Sequence, residues 1–368
     1  MDFQKSLMLS LLCGTMANGI GCSQVSFGPG PSNPAANQTN QSVGGLNSHS
    51  ETFNFDNNQY SGKVDILFVV DNSVSMSPLQ NNMTTNFSSF MNGFIARNFD
   101  YHLAVTTTEA YLSLPQFHNS PGVAQFRDGA GSNLSNIFDI TVQVPSPIAT
   151  FVTNASIGST GSGDERAFSS IKATLDSNLN AGFLRSDSFM AIVILSDEDD
   201  FSDPNRPEYS WTQSGGIVDH DYQNPGLESV DSYVSYLDQL TGTTGASRRY
   251  SVSAMTVLDS VCQAQHQSAG SESSIIGQRY IDISQKTGGE LASICDANYG
   301  ADLTNIADRV IQHSLPMVSL SITPIASSVQ LTTTPADPAL TWTVSGAKII
   351  FNKMPNQGTT IRVDYNSN

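Results

Sequence analysis

Asp71, Ser73 and Ser75 stand at alternate positions, D-x-S-x-S, directly after the apolar run Ile66 to Val70. Carboxylate and hydroxyl oxygens so spaced on one loop can converge on a hard divalent cation. Mg²⁺ demands near-octahedral oxygen geometry and keeps waters or borrows a ligand atom from a partner. A second apolar run, FMAIVIL, leads into SDEDD and places Asp197 two residues beyond its last aliphatic side chain. Asp and Ser also fill turns and cap helices with no metal involved. Asp71 could therefore do no more than cap a helix expected to begin near Pro78.

The elements that position these residues alternate. VDILFVV is a buried strand; Leu79, Met83, Phe87, Phe90, Met91, Phe94 and Ile95 then recur at helical spacing. YHLAVTTT is a second strand, and Ala167, Phe168, Ile171, Leu175 and Leu179 mark a second helix. FMAIVIL and RRYSVSAMTVL are further strands, separated by a helix over Val230 to Leu240. Helices near Ile275 to Ser284 and over Leu303, Ile306 and Val310 complete the series. Continuously apolar strands alternating with helices imply a doubly wound, mostly parallel α/β sheet covered on both faces. Ligands bind such sheets beyond the carboxyl ends of the strands, which is where Asp71 and Asp197 fall. After Pro316 the texture changes to short β-rich segments between Pro and Gly turns, a small all-β module over 316–368.

DNSVSM followed by an Asp-terminated third strand resembles the metal-ion-dependent adhesion site of von Willebrand factor A domains. The resemblance covers roughly residues 62–313 and implies a 62–315 A domain. The family's middle loop supplies a Thr just before a helix. Here GSTGSGDERAFSSI occupies that place, with Ser162 the nearer equivalent and Thr160 the alternative. Carried over, the metal ligands are Asp71, Ser73, Ser75, Ser162 and Asp197, holding Mg²⁺ (or Mn²⁺ or Ca²⁺) whose open position takes a carboxylate from a partner. Two departures stand out: Glu198 replaces the usual glycine and begins an acidic run, and the middle loop runs into DER. Glu198, Asp199, Asp200 and Asp203 could tune the site, build a second calcium site, or form a solvated acidic loop. FLRSDSFMAIVILSDEDD with that middle loop also looks like A-domain lipoproteins of predatory and gliding Gram-negative bacteria.

Composition narrows the partners. A formal charge of −17, from 33 acids against 16 bases, argues against nucleic acid and against a polybasic hold on lipid. Residues 1–21 have the outline of a secretory signal, and GIGC resembles a bacterial lipobox that lipidates Cys22, with Gly19 where that motif prefers Leu. Ordinary cleavage nearby is the alternative. Ser23, rather than Asp, after the cysteine favours outer-membrane delivery among the lipoproteins this resembles. Residues 22–61, rich in Ser, Asn, Gln, Gly and Pro, are expected to be a flexible tether. Cys262 and Cys295 then remain, and in an oxidising compartment they are expected to pair. Free thiols, or a zinc site using His266, are the alternatives.

A hydrolase is not expected, because no G-x-S-x-G elbow occurs and the six histidines sit in no catalytic frame. The sequence therefore points to a surface-tethered, adhesin-like protein, attached to the membrane by its lipid alone. It would engage a protein or cell-surface ligand through a bridging cation. A structural envelope lipoprotein with no such ligand is the alternative, and a periplasmic or secreted location the alternative to the outer membrane. The insertion from Phe201 to Gly226 lies beside the site, where Tyr209, Trp211 and Tyr222 could frame a ligand.

Overall fold

The computed structural model describes residues 41–43, 46–55, 63–96, 99–127, 146–205, 222, 224–245, 248–271, 273–353, 355–356 and 358–368. The leader, Cys22, most of the expected tether, and Tyr209 and Trp211 lie outside these residues.

Two short strands precede the α/β unit, β1 (Gln41–Val43) and β2 (Leu46–Phe55). The α/β unit then opens with β3 (Lys63–Val70), whose side chains alternate between two cores. Val64, Ile66, Phe68 and Val70 enter one; Leu67 and Val69 enter the other. A strand buried on both faces must be apolar at nearly every position, which is why VDILFVV shows no period-2 polarity. The same sheet contains β4 (Asp100–Thr107), β5 (Phe189–Leu195), β6 (Tyr250–Thr256) and β7 (Leu291–Ser293). All pair in parallel, in the order β4-β3-β5-β6-β7.

One face is covered by α1 (Ser77–Ala96), α2 (Pro147–Ala155) and α7 (Gly300–Ser314), with a stacked Phe87–Phe151 pair between α1 and α2. The other carries α3 (Ala167–Leu175), α4 (Val230–Thr241) and α6 (Gln278–Thr287). α5 (Ser260–Ser268) follows β6. A disulfide joins its Cys262 to Cys295, 33 residues on and just past β7. The polar α5, α2 and the three-residue β7 were not among the expected elements, because each is too short or too polar for a clear period.

The remaining strands are β8 (Met317–Ser319), β9 (Gln330–Thr334), β10 (Trp342–Ser345), β11 (Lys348–Phe351) and β12 (Thr359–Ser367). They form two antiparallel sheets, β1-β2-β12-β9 and β10-β11-β8, which share one core.

Here the expected boundaries need correction. Residues 46–55, assigned to the tether 22–61, are a strand that pairs with β12 along nine positions, Asn47 to Phe55. The 316–368 module is thus completed by chain from the far side of the α/β unit. The reason is a period-2 signal hidden in polar sequence: Glu51, Phe53 and Phe55 are buried, while Thr52 and Asn54 face out. Buried Glu51 is satisfied by the Tyr365 hydroxyl and by Ser321, whose N–H donates at 2.9 Å and whose hydroxyl donates at 3.1 Å.

Candidate metal centre

The strand order reverses between β3 and β5, so their carboxyl ends open into the crevice where doubly wound sheets bind ligands. The register Val70↔Leu195 brings the loops carrying Asp71 and Asp197 side by side, and the Asp71 N–H extends the ladder to the Leu195 carbonyl at 2.9 Å.

Asp71 is fully buried and both its oxygens are engaged. Oδ1 accepts from the Ser73 N–H at 2.7 Å and Oδ2 from the Ser196 hydroxyl at 2.7 Å. The Ser73 and Ser75 hydroxyls lie 3.1 Å apart, and Ser75 Oγ donates to Asp197 Oδ1 at 3.1 Å. A short turn over Val74–Met76 fixes this arrangement. Met76 is buried in the core, Val74 is 74% exposed, and Gln80 of α1 donates to the Asp71 carbonyl at 2.8 Å. Asp71 therefore does not cap α1; it organises the loop before it.

Four of the five expected ligands, Asp71, Ser73, Ser75 and Asp197, are thus joined by one hydrogen-bonded chain. Ser162 is not in it. Its N–H donates to Glu109 Oε1 at 2.7 Å, and its hydroxyl accepts from the Asp164 N–H at 3.3 Å. Thr160 is exposed. The middle loop is held beside the site by Asn72, whose carbonyl accepts from the Gly161 N–H at 2.8 Å and whose side chain donates to Glu109 Oε2 at 2.8 Å. Gly161 is required there: a Cβ would lie 2.8 Å from the Asn72 carbonyl oxygen.

The acidic run after Asp197 resolves into separate duties. Asp199 Oδ1 accepts from the Arg279 N–H at 3.0 Å, capping the start of α6. Asp200 Oδ1 accepts from the Phe168 N–H at 3.1 Å and Ser202 Oγ from the Ser169 N–H at 2.9 Å, which together cap α3. Helix N-termini carry unpaired N–H groups and favour negative charge. Asp203 accepts from the Asn205 N–H. Tyr222 packs edge-on against Phe201.

Burial and mutual repulsion raise the proton affinity of the site. Asp71 is pushed up to about 7, first by burial and then by the charge of Asp197. Asp197 is raised by burial, an effect opposed by the Ser75 hydroxyl and by His266. Glu165 and Glu198 are raised well above the carboxylate range, by burial and then by neighbouring acids in Glu165 and despite the Ser273 hydroxyl in Glu198. Asp197 Oδ2 has no hydrogen-bond partner, nor has His266 Nδ1, 3.6 Å away on α5.

Among the described residues no three Asp, Glu, His or Cys side chains close on a single point. The donor set is instead mixed, two carboxylates and two hydroxyls, all of them hard oxygens. With Asp197 Oδ2 buried and without a hydrogen bond, that set fits a hard divalent cation rather than a soft metal. Sequence reasoning missed Ser196, Glu109, Glu165 and the placement of His266. Ser196 adjoins an expected ligand and Glu165 lies in the DER departure, but His266 carried no signal beyond its closeness to Cys262. A cavity of about 600 Å³ lies at the opposite end of the sheet, lined by Phe126, Phe183, Leu240 and Arg249 among others. It holds none of these acids.

No protein-family model and no curated protein matches this chain. Among solved structures it is similar to the pilus adhesin SpaC from Lactobacillus rhamnosus GG in its open conformation, at 14% identity and a TM-score of 0.40, over 91% of this chain and 42% of that one. It is also similar to proximal thread matrix protein 1 from the mussel byssus, at 14% identity and a TM-score of 0.34, over 68% and 46%. Similarity to the human COPII-coat protein Sec24c is 9% identity with a TM-score of 0.36, over 87% and 42%. The chain spans less than half the length of each. The fold described above rests on the chain's own sheet order and register.

Proposed function

We propose that this chain is an A-domain binding protein that engages a protein or cell-surface ligand through a divalent cation held at the carboxyl ends of β3 and β5. The observation that carries this reading is the chain of oxygens from Asp71 through Ser73 and Ser75 to Asp197, with Asp197 Oδ2 left over. Ser73, Ser75 and Asp197 would hold the cation, Mg²⁺ or the related Mn²⁺ or Ca²⁺. When bound, it supplies a Lewis-acidic position able to take a carboxylate oxygen from a partner. Asp71 orients the loop through the Ser73 N–H and ties it to Ser196, the supporting role that ligand spheres need. Glu109 and Asn72 fix the neighbouring loop, and exposed Val74 offers an apolar contact at the rim. Lipidation at Cys22 would present the protein at the outer membrane or cell surface.

Calorimetric titration of the purified protein with MgCl₂, MnCl₂ and CaCl₂ tests the reading. Saturable binding of at least one ion is expected, together with retention of envelope partners on the immobilised protein that chelator abolishes. Absence of divalent binding, with partner retention unchanged in chelator, would exclude it.

A further inference from the structure

Behind the loop of Asp71 lies a carboxylate that none of the preceding arrangement uses. Glu165 is fully buried, and neither of its oxygens has a hydrogen-bond partner; the nearby Thr108 hydroxyl, which donates to Asn72 Oδ1 at 3.4 Å, offsets only part of the cost of burial. It stands in the field of Asp71, Glu198 and Glu109, all of its own sign. Its neighbours in sequence are differently placed. Arg166 forks onto both oxygens of Asp164 at 2.9 Å and donates to the Asp203 carbonyl, so the nearest arginine is spent on another acid. Glu198, another buried glutamate of this region, has the Ser273 hydroxyl. Glu165 alone of this group is both buried and unsatisfied.

An unpaired carboxylate held away from water is costly, and such groups are found protonated, paired or on a metal. Beside it is a site whose hydroxyls and Asp197 already suit a hard cation. The loop's expected ligand stands outside the hydrogen-bonded chain of the site: the Ser162 N–H donates to Glu109 and its hydroxyl accepts from the Asp164 N–H.

We infer that Glu165, rather than Ser162 or Thr160, is the ligand that the middle loop contributes to the cation at Ser73, Ser75 and Asp197. This rests on the proposed cation-dependent function and deepens it. The carboxylates of the described residues do not yet close on one point, so ligation entails a rotamer change in Glu165, whose three side-chain torsions permit one. Its consequence is selectivity. With Asp71, Asp197 and Glu165 together the site carries three acids. A carboxylate that can bind through both oxygens suits the larger, flexible shell of Ca²⁺ better than the rigid, water-retaining octahedron of Mg²⁺.

The test is calorimetry of the full chain with CaCl₂ and with MgCl₂, for the unsubstituted protein and for Glu165→Gln, Ser162→Ala and Ser73→Ala. Thermal unfolding is measured with and without EDTA. Glu165→Gln should weaken Ca²⁺ binding about tenfold or more, at least the loss seen for supporting residues of metal sites. Ser162→Ala should leave it within about twofold. In EDTA, Glu165→Gln should melt no lower than the unsubstituted protein, since an amide of the same shape replaces a buried acid with no hydrogen-bond partner, while its gain in melting temperature with Ca²⁺ shrinks. Unchanged Ca²⁺ affinity in Glu165→Gln, alongside weakened binding in Ser73→Ala, would overturn the role of Glu165 and leave the cation site standing. A lower melting temperature in EDTA, or failure to fold, would also overturn it by making Glu165 a structural group. If the unsubstituted protein binds neither ion, both readings fall.

Discussion

The Ser75 hydroxyl donates to Asp197 Oδ1 at 3.1 Å, joining the ends of two adjacent parallel strands from positions 122 residues apart in the chain. That contact pulls the first loop of the α/β unit over the end of its third strand. It leaves the second oxygen of Asp197 without a hydrogen bond, 3.6 Å from His266 Nδ1.

Replacing Ser75 with Ala removes an oxygen from the proposed cation shell and the hydroxyl that holds Asp197. The fold should persist, because Ser75 lies in the turn beyond β3 and its loop stays fixed by Met76 and Gln80. The expected outcome is loss of divalent binding by about tenfold or more, with destabilisation in chelator of about 1–3 kcal/mol, the value of a hydrogen bond to a carboxylate. Calorimetry and urea unfolding of the same preparation measure both.

Stability in chelator should fall as pH rises. Asp71 holds its proton to about pH 7 in the folded protein, against an ordinary value of 3.8. Between roughly pH 4 and 7 the unfolded chain therefore releases a proton that the folded chain retains. Fewer bound protons in the unfolded state mean a negative slope of stability with pH. Asp65, Glu165, Asp197, Glu198, Asp199 and Asp200 are raised in the same direction by burial, whereas Asp238, Asp337 and Asp364 are shifted the opposite way. Urea midpoints in EDTA at pH 5 and pH 8 decide the sign. A divalent cation, which competes with these protons, should add most at pH 8.

Phe53→Ala separates the two bodies of the molecule. Phe53 is 1% exposed in the core shared by the two antiparallel sheets, so truncation should cost about 3–5 kcal/mol there. Divalent binding should be unchanged, since no residue of β2 reaches the cation site among the described contacts. A freely tethered segment would show no such cost in thermal unfolding.

Opening the Cys262–Cys295 bridge, by reduction or by a Cys262→Ser, Cys295→Ser pair, releases a loop of 33 residues. Chain entropy puts the loss at about 3–4 kcal/mol. Because Cys262 and His266 lie on the same helix, the loosened α5 should also alter the surroundings of Asp197. Scanning calorimetry with and without reductant reads the first effect, and the chemical shifts of the His266 ring read the second.

The α/β unit was legible in the sequence because its physics is local and repetitive. Strands buried on both sides must be apolar throughout, and helices such as α1 must repeat their apolar residues every three to four positions. The same chemistry announced Asp71, Ser73, Ser75 and Asp197, since polar oxygens directly after a buried strand mark a carboxyl-end loop. The strand at 46–55 was written more faintly, in Glu51, Phe53 and Phe55 within a polar background. Its partner β12 lies more than 300 residues further along the chain, and pairing at that distance leaves no mark in either segment alone. Tertiary structure alone decided how the acids divide their labour. SDEDD reads as one acidic run, yet Asp199 and Asp200 meet the N–H groups of two different helices while Asp197 faces the serines. The chain bends at Asp197 and Glu198, just past β5, and this sends successive carboxylates in different directions. What each carboxylate meets there is fixed by folding, which also leaves Glu165 buried with nothing to pair with.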